Sequence, residues 1–246
     1  MTKHYHIEIP KNEHGRDFVI GDIHARKKRF IKALDSVNFD KEKDRLFALG
    51  DLIDRGKDAI FILNELRNDW FYSICGNHEQ LLLNRFDLPL VVGESLASTY
   101  TNVKTRHDAV ELHKQNSGRW FDKLRSTAQL NIYLALSKLP LAMTLETDRG
   151  KIGLVHAQVP DRFDSWHELL SALDVDDEAR FQAVWDISAI QNKSKRVVEG
   201  IDLVVHGHFM VSEPVVDGNQ VWIDTGHKTG ALTIMEVNEL FDLVEG

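Results

Sequence analysis

The chain has 246 residues, 43% of them hydrophobic, and its 38 acidic against 30 basic side chains give a formal net charge of -8. That length suffices for one α/β domain with an insertion, while the acidic balance excludes the basic face that a general nucleic-acid binder needs. No window is apolar over the length of a membrane span, Met1 to Arg16 hold no signal-peptide core, and the single Cys75 cannot form an internal disulfide. A soluble, cytoplasmic protein is therefore expected, with neither nucleic acid nor membrane as partner. In chain order, Asp17-Phe18-Val19-Ile20 predicts a strand, and Lys27 to Val37, with Phe30, Ile31, Leu34 and Val37 at helical spacing, predicts a helix crossing back over a sheet. Arg45 to Leu49 and Phe71 to Ile74 predict further strands, followed by helices over Ala59 to Leu66 and Gln80 to Phe86. This βαβαβα rhythm predicts a largely parallel sheet with covered faces.

Asp87 to Lys138 breaks the rhythm. It is polar up to Gly118, then shows helical patches at Trp120 to Leu124 and Leu130 to Leu139, so a mostly helical cap inserted over the site, about 87–138, is expected. Leu141 to Thr147 and Lys151 to His156, joined by Asp148-Arg149-Gly150, read as a β-hairpin. Ser165 to Asp186 reads as a second helical excursion, with Asp164 or Ser165 as N-cap and Glu168 three or four positions on. Asp202 to His206 predicts a strand, and Gln220 to Asp224 together with Ala231 to Val237 are expected to close a second sheet. No internal repeat or flexible linker divides the chain, so one domain over residues 1–246 is expected.

The chemistry concentrates in the turns. Gly21-Asp22-Ile23-His24, Gly50-Asp51-Leu52-Ile53-Asp54-Arg55-Gly56 and Gly76-Asn77-His78-Glu79 each follow a predicted strand. Side chains there stand at the carboxyl ends of strands, where open α/β sheets hold ligands. His156 and His208 end or follow later strands in the same way. Asp22, His24, Asp51, Asn77, His156 and His208 make an N/O donor set suited to hard or borderline divalent ions. Six donors exceed one tetrahedral ion and suit a pair of ions about 3.5–4 Å apart, with Asp51 as the shared carboxylate.

The GDIH, GDLIDRG and GNHE stretches, followed by Val155-His156-Ala157, Gly207-His208 and Ile223-Asp224-Thr225-Gly226, resemble the bacterial and phage-type (lambda-phosphatase-like) serine/threonine protein phosphatases of the metallophosphoesterase superfamily. The resemblance runs from about residue 17 to 237. It implies an α/β fold, a four-layer β-sandwich flanked by helices, and two divalent ions, Mn²⁺ first with Fe or Zn as alternatives. The implied activity is hydrolysis of phosphoserine and phosphothreonine in a protein or peptide, with phosphotyrosine as a further substrate. By resemblance Asp22, His24 and His208 would hold the first ion, Asn77 and His156 the second, and Asp51 both. A metal-bridging hydroxide would attack phosphorus in line, with His78 as general acid, Asp54 orienting it, and Arg55 and Asn77 on the phosphoryl oxygens.

The chain departs from that pattern at Ala25, where glycine is usual, at Cys75, where arginine is frequent, and after Trp185, where a second phosphate-binding arginine is missing. Arg119, Arg180, Arg196 and Lys228 are the substitutes, with Arg119 preferred because Gly118-Arg119-Trp120-Phe121 resembles a stretch of the same relatives. Two other functions compete. A dinucleoside-polyphosphate hydrolase of the same superfamily shares the first and third turns but tends to lack counterparts of Asp54 and Glu79. A non-catalytic phosphate-recognition module has no use for His78 and Asp54. Among the remaining residues, His206 reads as packed, His227 as a solvated loop, and Cys75 as buried packing. Arg26 to Arg29 read as a solvated face or an acidic-substrate dock, and His4, His6, His107, His113 and His167 as surface. The oligomeric state is left open.

Overall fold

The structure, a computed structural model, describes residues 4–87, 103, 105–193 and 195–246, so the cap positions 88–102 and 104 lie outside it. The elements run β1 (His6–Ile9), β2 (Asp17–Ile20), α1 (Lys27–Ser36), β3 (Arg45–Ala48), α2 (Ala59–Glu65), β4 (Phe71–Ser73) and α3 (Asn77–Leu83). Then come α4 (Arg106–Gln115), a 3₁₀ turn at Gly118–Lys123, α5 (Ser126–Leu136), β5 (Ala142–Glu146), β6 (Lys151–Val155), α6 (Trp166–Val175), α7 (Asp177–Trp185) and α8 (Ser188–Asn192). The chain ends with β7 (Leu203–His206), β8 (Val215–Asp217), β9 (Gln220–Trp222), α9 (Gly226–Thr229), β10 (Ile234–Glu236) and α10 (Val237–Glu245).

Two sheets result, one ordered β10-β2-β3-β4 and the other β1-β5-β6-β7-β9-β8. Strand alternation explains how they stack. Val19 and Phe47 with Ile74 on one sheet meet Met143, Leu145, Leu154, Val205 and Val221 on the other in a shared apolar core. Their neighbours one position away point outward instead, as the period of two requires. Phe18, Ile20, Leu46 and Ala48 pack with Phe30, Leu34 and Ile62 of α1 and α2, while Ala142, Val155 and Val204 pack with Leu169, Leu173 and Val184 of α6 and α7. The expected sandwich of two sheets between helices is therefore present. Each fully buried large apolar side chain contributes roughly 1.5–3 kcal/mol.

The predicted strands of the βαβαβα half are found, with β2, β3 and β4 parallel in unbroken register. The hairpin is β5 and β6, antiparallel from Ala142 opposite Val155 to Glu146 opposite Lys151. Ser165 does cap α6, its side chain accepting from Glu168 N–H, and Asp176 then caps α7. One expectation is corrected. Only β9 joins the second sheet; the segment near Ala231 to Val237 forms β10, which pairs antiparallel with β2 in the first sheet, Ile234 opposite Ile20. After β9 the chain reverses through α9 and Gly230, whose φ of 79° is natural only to glycine, and so crosses to the other layer. Within the expected helical insert, α4 precedes Gly118. Its start was written in the sequence: Thr105 caps Asp108 N–H and Asp108 reaches back to Thr105 N–H. Strands β1 and β8 had no predicted counterpart. No helix among the described residues is long and apolar enough to cross a membrane.

Candidate active site

Asp22 and His24 follow β2, Asp51 follows β3, Asn77 opens α3 after β4, His156 follows β6 and His208 follows β7. Parallel pairing of β2 with β3, β3 with β4, and β6 with β7 puts these strand ends on one side. The turns are tight: His24, Asp51, Asp54, Arg55 and His208 have φ between 47° and 64°. Such conformations cost on the order of 1 kcal/mol each and persist where surrounding bonds over-determine them. Two glycines let the backbones close. At Gly207 a Cβ would lie 2.2 Å from Asp22 Oδ1, and at Gly76 one would lie 2.4 Å from the Asp51 nitrogen.

Glu79 supplies much of the over-determination. Its buried carboxylate accepts from the N–H groups of Asp51 at 2.7 Å, Leu52 at 2.9 Å, Ile53 at 3.3 Å and Gly76 at 3.0 Å, lashing the second turn to the third. Burial and the nearby Asp51 charge push its carboxyl up to about 8.

Asp51 occupies the middle of the cluster. His24 Nε2 is 3.5 Å from Oδ2 and His156 Nε2 is 3.5 Å from Oδ1. One terminal atom of the Asn77 amide lies 3.0 Å from both Asp51 oxygens and from His156 Nε2, and 3.3 Å from His208 Nδ1. Asp22 Oδ2 lies 3.9 Å from His24 Nε2. The outward nitrogens are already engaged. His24 Nδ1 donates to the Ile53 carbonyl at 3.1 Å, His156 Nδ1 to Leu49 at 2.6 Å and His208 Nε2 to Trp185 at 3.2 Å. Each imidazole therefore turns its remaining lone pair inward, the tautomer a metal ligand needs.

That convergence fits cations. Among the described residues, His24 Nε2 and Asp224 Oδ2 are buried with no hydrogen-bond partner, and the oxygen of the Asn77 amide faces only acceptors. Burial drives the imidazoles of His24 and His208 down to about 3 and lowers His156 as well, so all three are neutral. Burial together with the charges of Asp224 and Asp51 pushes the Asp22 carboxyl well above its usual range. Burial and Asp51 raise Asp224 to about 6. Burial would raise Asp51 as well, but the His78 charge and the His78 backbone N–H hold it below the usual range. Crowded carboxylates and inward lone pairs without enough protons between them are relieved by divalent ions. Asp22, Asp51 and His156 form one group able to hold an ion, and His24, Asp51 and His78 another.

The structure brings all six predicted ligands together. His208 touches Asp22 through its backbone N–H, 3.1 Å from Oδ1, whereas its ring lies 5.0 Å from the His156 ring and faces Asn77. The bond from His208 Nε2 to the Trp185 carbonyl turns its Nδ1 towards Asn77.

Beside the cluster His78 Nδ1 donates to Asp54 Oδ2 at 2.8 Å, and His78 Nε2 stands 3.9 Å from Asp51 Oδ2. Burial alone would lower the His78 imidazole, yet the Asp51 charge and the Asp54 bond raise it above its ordinary value. Asp54 is fully buried and has two further donors that the sequence did not announce, His113 Nε2 at 3.0 Å and Trp120 Nε1 at 2.7 Å. The surface reading of His113 is therefore wrong: it is fully buried, on the inner face of α4. The sequence hint was Gly118, where a Cβ would meet the His113 ring at 2.3 Å.

Arg55 stands exposed at the mouth, close enough for its charge to favour the ionised forms of Asp22 and Asp224. Arg119 is exposed and, among the described residues, has no hydrogen bond to the site. Arg180 is spent on the Leu173 carbonyl and Asp177, and Arg196 on the carbonyls of Val159 and Pro160, which removes both as phosphate ligands. Lys228 and His227 are exposed on α9. His206 is packed, as expected, bonded at Nδ1 to the Val155 carbonyl and stacked on Trp222. A cavity of about 530 Å³ between α2 and α5 is lined by Leu63, Phe71, Ile132 and Leu139 and includes none of these groups.

Comparison with known proteins agrees with this geometry. Residues 18–212 match the family described as calcineurin-like phosphoesterase. The serine/threonine-protein phosphatase 2 of Escherichia coli strain K12 is 26% identical over 227 residues, 89% of this chain and 92% of that one. The symmetrical bis(5'-nucleosyl)-tetraphosphatase of Nitrosospira multiformis is 37% identical over only 68 residues, 27% of this chain and 25% of that one. A crystal structure assigned provisionally as a diadenosine tetraphosphatase superposes with a TM-score of 0.56 at 18% identity, covering 94% of this chain and 97% of that one, and so shares the fold. With its metal-ligand turns in order along residues that the family profile spans, the chain belongs to the calcineurin-like phosphoesterases and is a phosphoric monoester hydrolase related to bacterial serine/threonine phosphatases.

Proposed function

We propose that the chain hydrolyses phosphoserine and phosphothreonine in proteins or peptides, using Asp22, His24, Asp51, Asn77, His156 and His208 to hold two divalent ions. The observation that carries this is the His78–Asp54 pair, hydrogen-bonded at 2.8 Å directly beside that cluster. Bound divalent ions would neutralise phosphoryl charge and lower the pKa of water towards neutrality, with Mn²⁺ the first choice for this donor set. The chain's own residues do the rest. Arg55 and the Asn77 amide face a phosphoryl group at the mouth, where a forked guanidinium matches two oxygens. A water oxygen bonds to phosphorus as the bond to the seryl oxygen breaks. The seryl oxygen keeps the electron pair and takes a proton from His78 Nε2, and the proton given up by the water restores His78. Asp54 holds Nδ1–H throughout, keeping Nε2 aimed at the leaving oxygen.

A proton donor so placed suits an alkoxide leaving group. Release of a nucleoside phosphate needs none, which weighs against the dinucleoside-polyphosphate reading suggested by the short match to the Nitrosospira enzyme. The rim also favours an anionic peptide. Arg26, Lys28, Arg29 and Lys57 surround a cavity of about 310 Å³ next to Gly56, and among the described residues neither these four nor Arg55 form an ion pair. The test is phosphate release from a phosphoserine peptide and from a dinucleoside tetraphosphate with Mn²⁺ present. The peptide is expected to be the better substrate, with Asp51→Asn and His78→Ala each lowering its turnover by about 10²-fold or more. Faster cleavage of the dinucleotide would transfer the assignment to the rival.

A further inference from the structure

A buried carboxylate with three nitrogen donors is more than a partner for one imidazole. Asp54 Oδ2 accepts from His78 Nδ1 at 2.8 Å and from His113 Nε2 at 3.0 Å, while Oδ1 accepts from Trp120 Nε1 at 2.7 Å. Two of these donors come from the helical insert, His113 from α4 and Trp120 from the 3₁₀ turn.

His113 is itself held on every side. Arg85 Nη1 lies 3.4 Å from His113 Nδ1, and a guanidinium can only donate, so Nδ1 accepts and the ring N–H is on Nε2, facing Asp54. Arg85 is buried, ion-paired with Asp122 and stacked over the Phe121 ring at 4.9 Å. Gly118 clears the space the imidazole fills, since any side chain there would collide with it. The Gly-Arg-Trp-Phe stretch at 118–121 thus reaches the Asp54 cluster through Gly118, Trp120 and Phe121.

We propose that His113, with Trp120 beside it, is a positioning residue for the general acid: the insert docks these N–H groups onto Asp54, fixing the plane of the carboxylate that aims His78. This inference rests on the phosphatase reading given above. The alternative, a donor placed only to satisfy a buried charge, needs no alignment with His78. Burial would raise the Asp54 carboxyl, but the hydrogen bonds from His113 and His78 lower it.

The experiment compares wild type, His113→Leu, His113→Gln and Trp120→Phe on two substrates with Mn²⁺ supplied, a phosphoserine peptide and p-nitrophenyl phosphate. The alkoxide leaves only with a proton, whereas the nitrophenolate leaves without one. His113→Leu is expected to lower kcat on the peptide about 10-fold or more, a part of the 10²–10⁴-fold that general acids supply, with KM and the aryl ester changed less than about threefold. His113→Gln, which keeps an N–H donor, is expected to recover most of the loss. In the metal-free protein, the low-field proton resonance of His78 Nδ1–H is expected to shift or broaden in His113→Leu and to return in His113→Gln. Equal losses on both substrates, unchanged peptide turnover, or an unmoved resonance would overturn the proposal. If His113→Leu does not fold, Trp120→Phe and His113→Gln carry the same comparison. A wild type inactive on both esters would refute the phosphatase reading instead.

Discussion

Glu79 touches no substrate position, yet its carboxylate gathers the N–H groups of Asp51, Leu52, Ile53 and Gly76. Glutamine there would turn a donor towards donors, so Glu79→Gln is expected to lose about 2 kcal/mol of stability, within the range for leaving a buried donor unsatisfied. A lowered thermal midpoint of the metal-free protein checks it. Gly207→Ala is expected to weaken Mn²⁺ binding about 10–100-fold, the usual effect of disturbing what surrounds a ligand, because its Cβ would fall 2.2 Å from Asp22 Oδ1. Metal titration followed by calorimetry reads that out. At this scale the sequence was most legible where a residue is bound to a turn: Asp22, His24, Asp51, Asn77, His156 and His208 each stand at a strand end and meet at the site. His113 was not legible, because it lies in the last turn of a helix rather than at a strand end, and a helix face says which side is buried only once its neighbours are known.

Elements show the same division. Strands β2, β3 and β4 could be read from short apolar runs, since a parallel sheet covered on both faces buries nearly every residue of its strands. The placement of β10 could not, because a three-residue strand carries little pattern and its partner, β2, lies more than two hundred residues earlier. The start of β3 offers a test of electrostatics away from the active site. Asp44 accepts from the Arg16 backbone N–H at 2.8 Å, from its guanidinium at 2.6 Å and from Asp40 N–H at 3.0 Å. Burial would raise its carboxyl, but the Arg16 bond and these N–H groups hold it below the usual range. A carboxyl depressed in the fold stabilises above its unfolded pKa of about 3.9 and loses that contribution as pH falls through the lower folded value. Asp44→Asn is therefore expected to destabilise by about 1–3 kcal/mol at pH 7 and by much less below pH 3. Urea unfolding at both pH values measures it, and a penalty that grows on acidification would contradict the sign.

On the scale of the whole molecule, a formal charge of -8 would repel an anionic substrate, while Arg26, Lys28, Arg29 and Lys57 line a cavity next to Gly56 and, like the neighbouring exposed Arg55, form no ion pair among the described residues. Local charge governs approach when the Debye length, about 8–10 Å at physiological salt, is shorter than the molecule. The value of kcat/KM on an acidic phosphopeptide is thus expected to fall severalfold as salt rises, and Lys28→Ala with Lys57→Ala to flatten that slope. A rise with salt would mean that net charge dominates. The sandwich matters to all of this because it brings strand ends from two sheets to one edge, where the six candidate ligands meet beside the His78–Asp54 pair. The decisive measurement is phosphate release from a phosphoserine peptide as Mn²⁺ is added stepwise to metal-free protein. Activity is expected to be absent at the start and to level off at about two equivalents per chain, the number that a shared carboxylate pairs. Turnover without added ion, or none at any ratio, would contradict it.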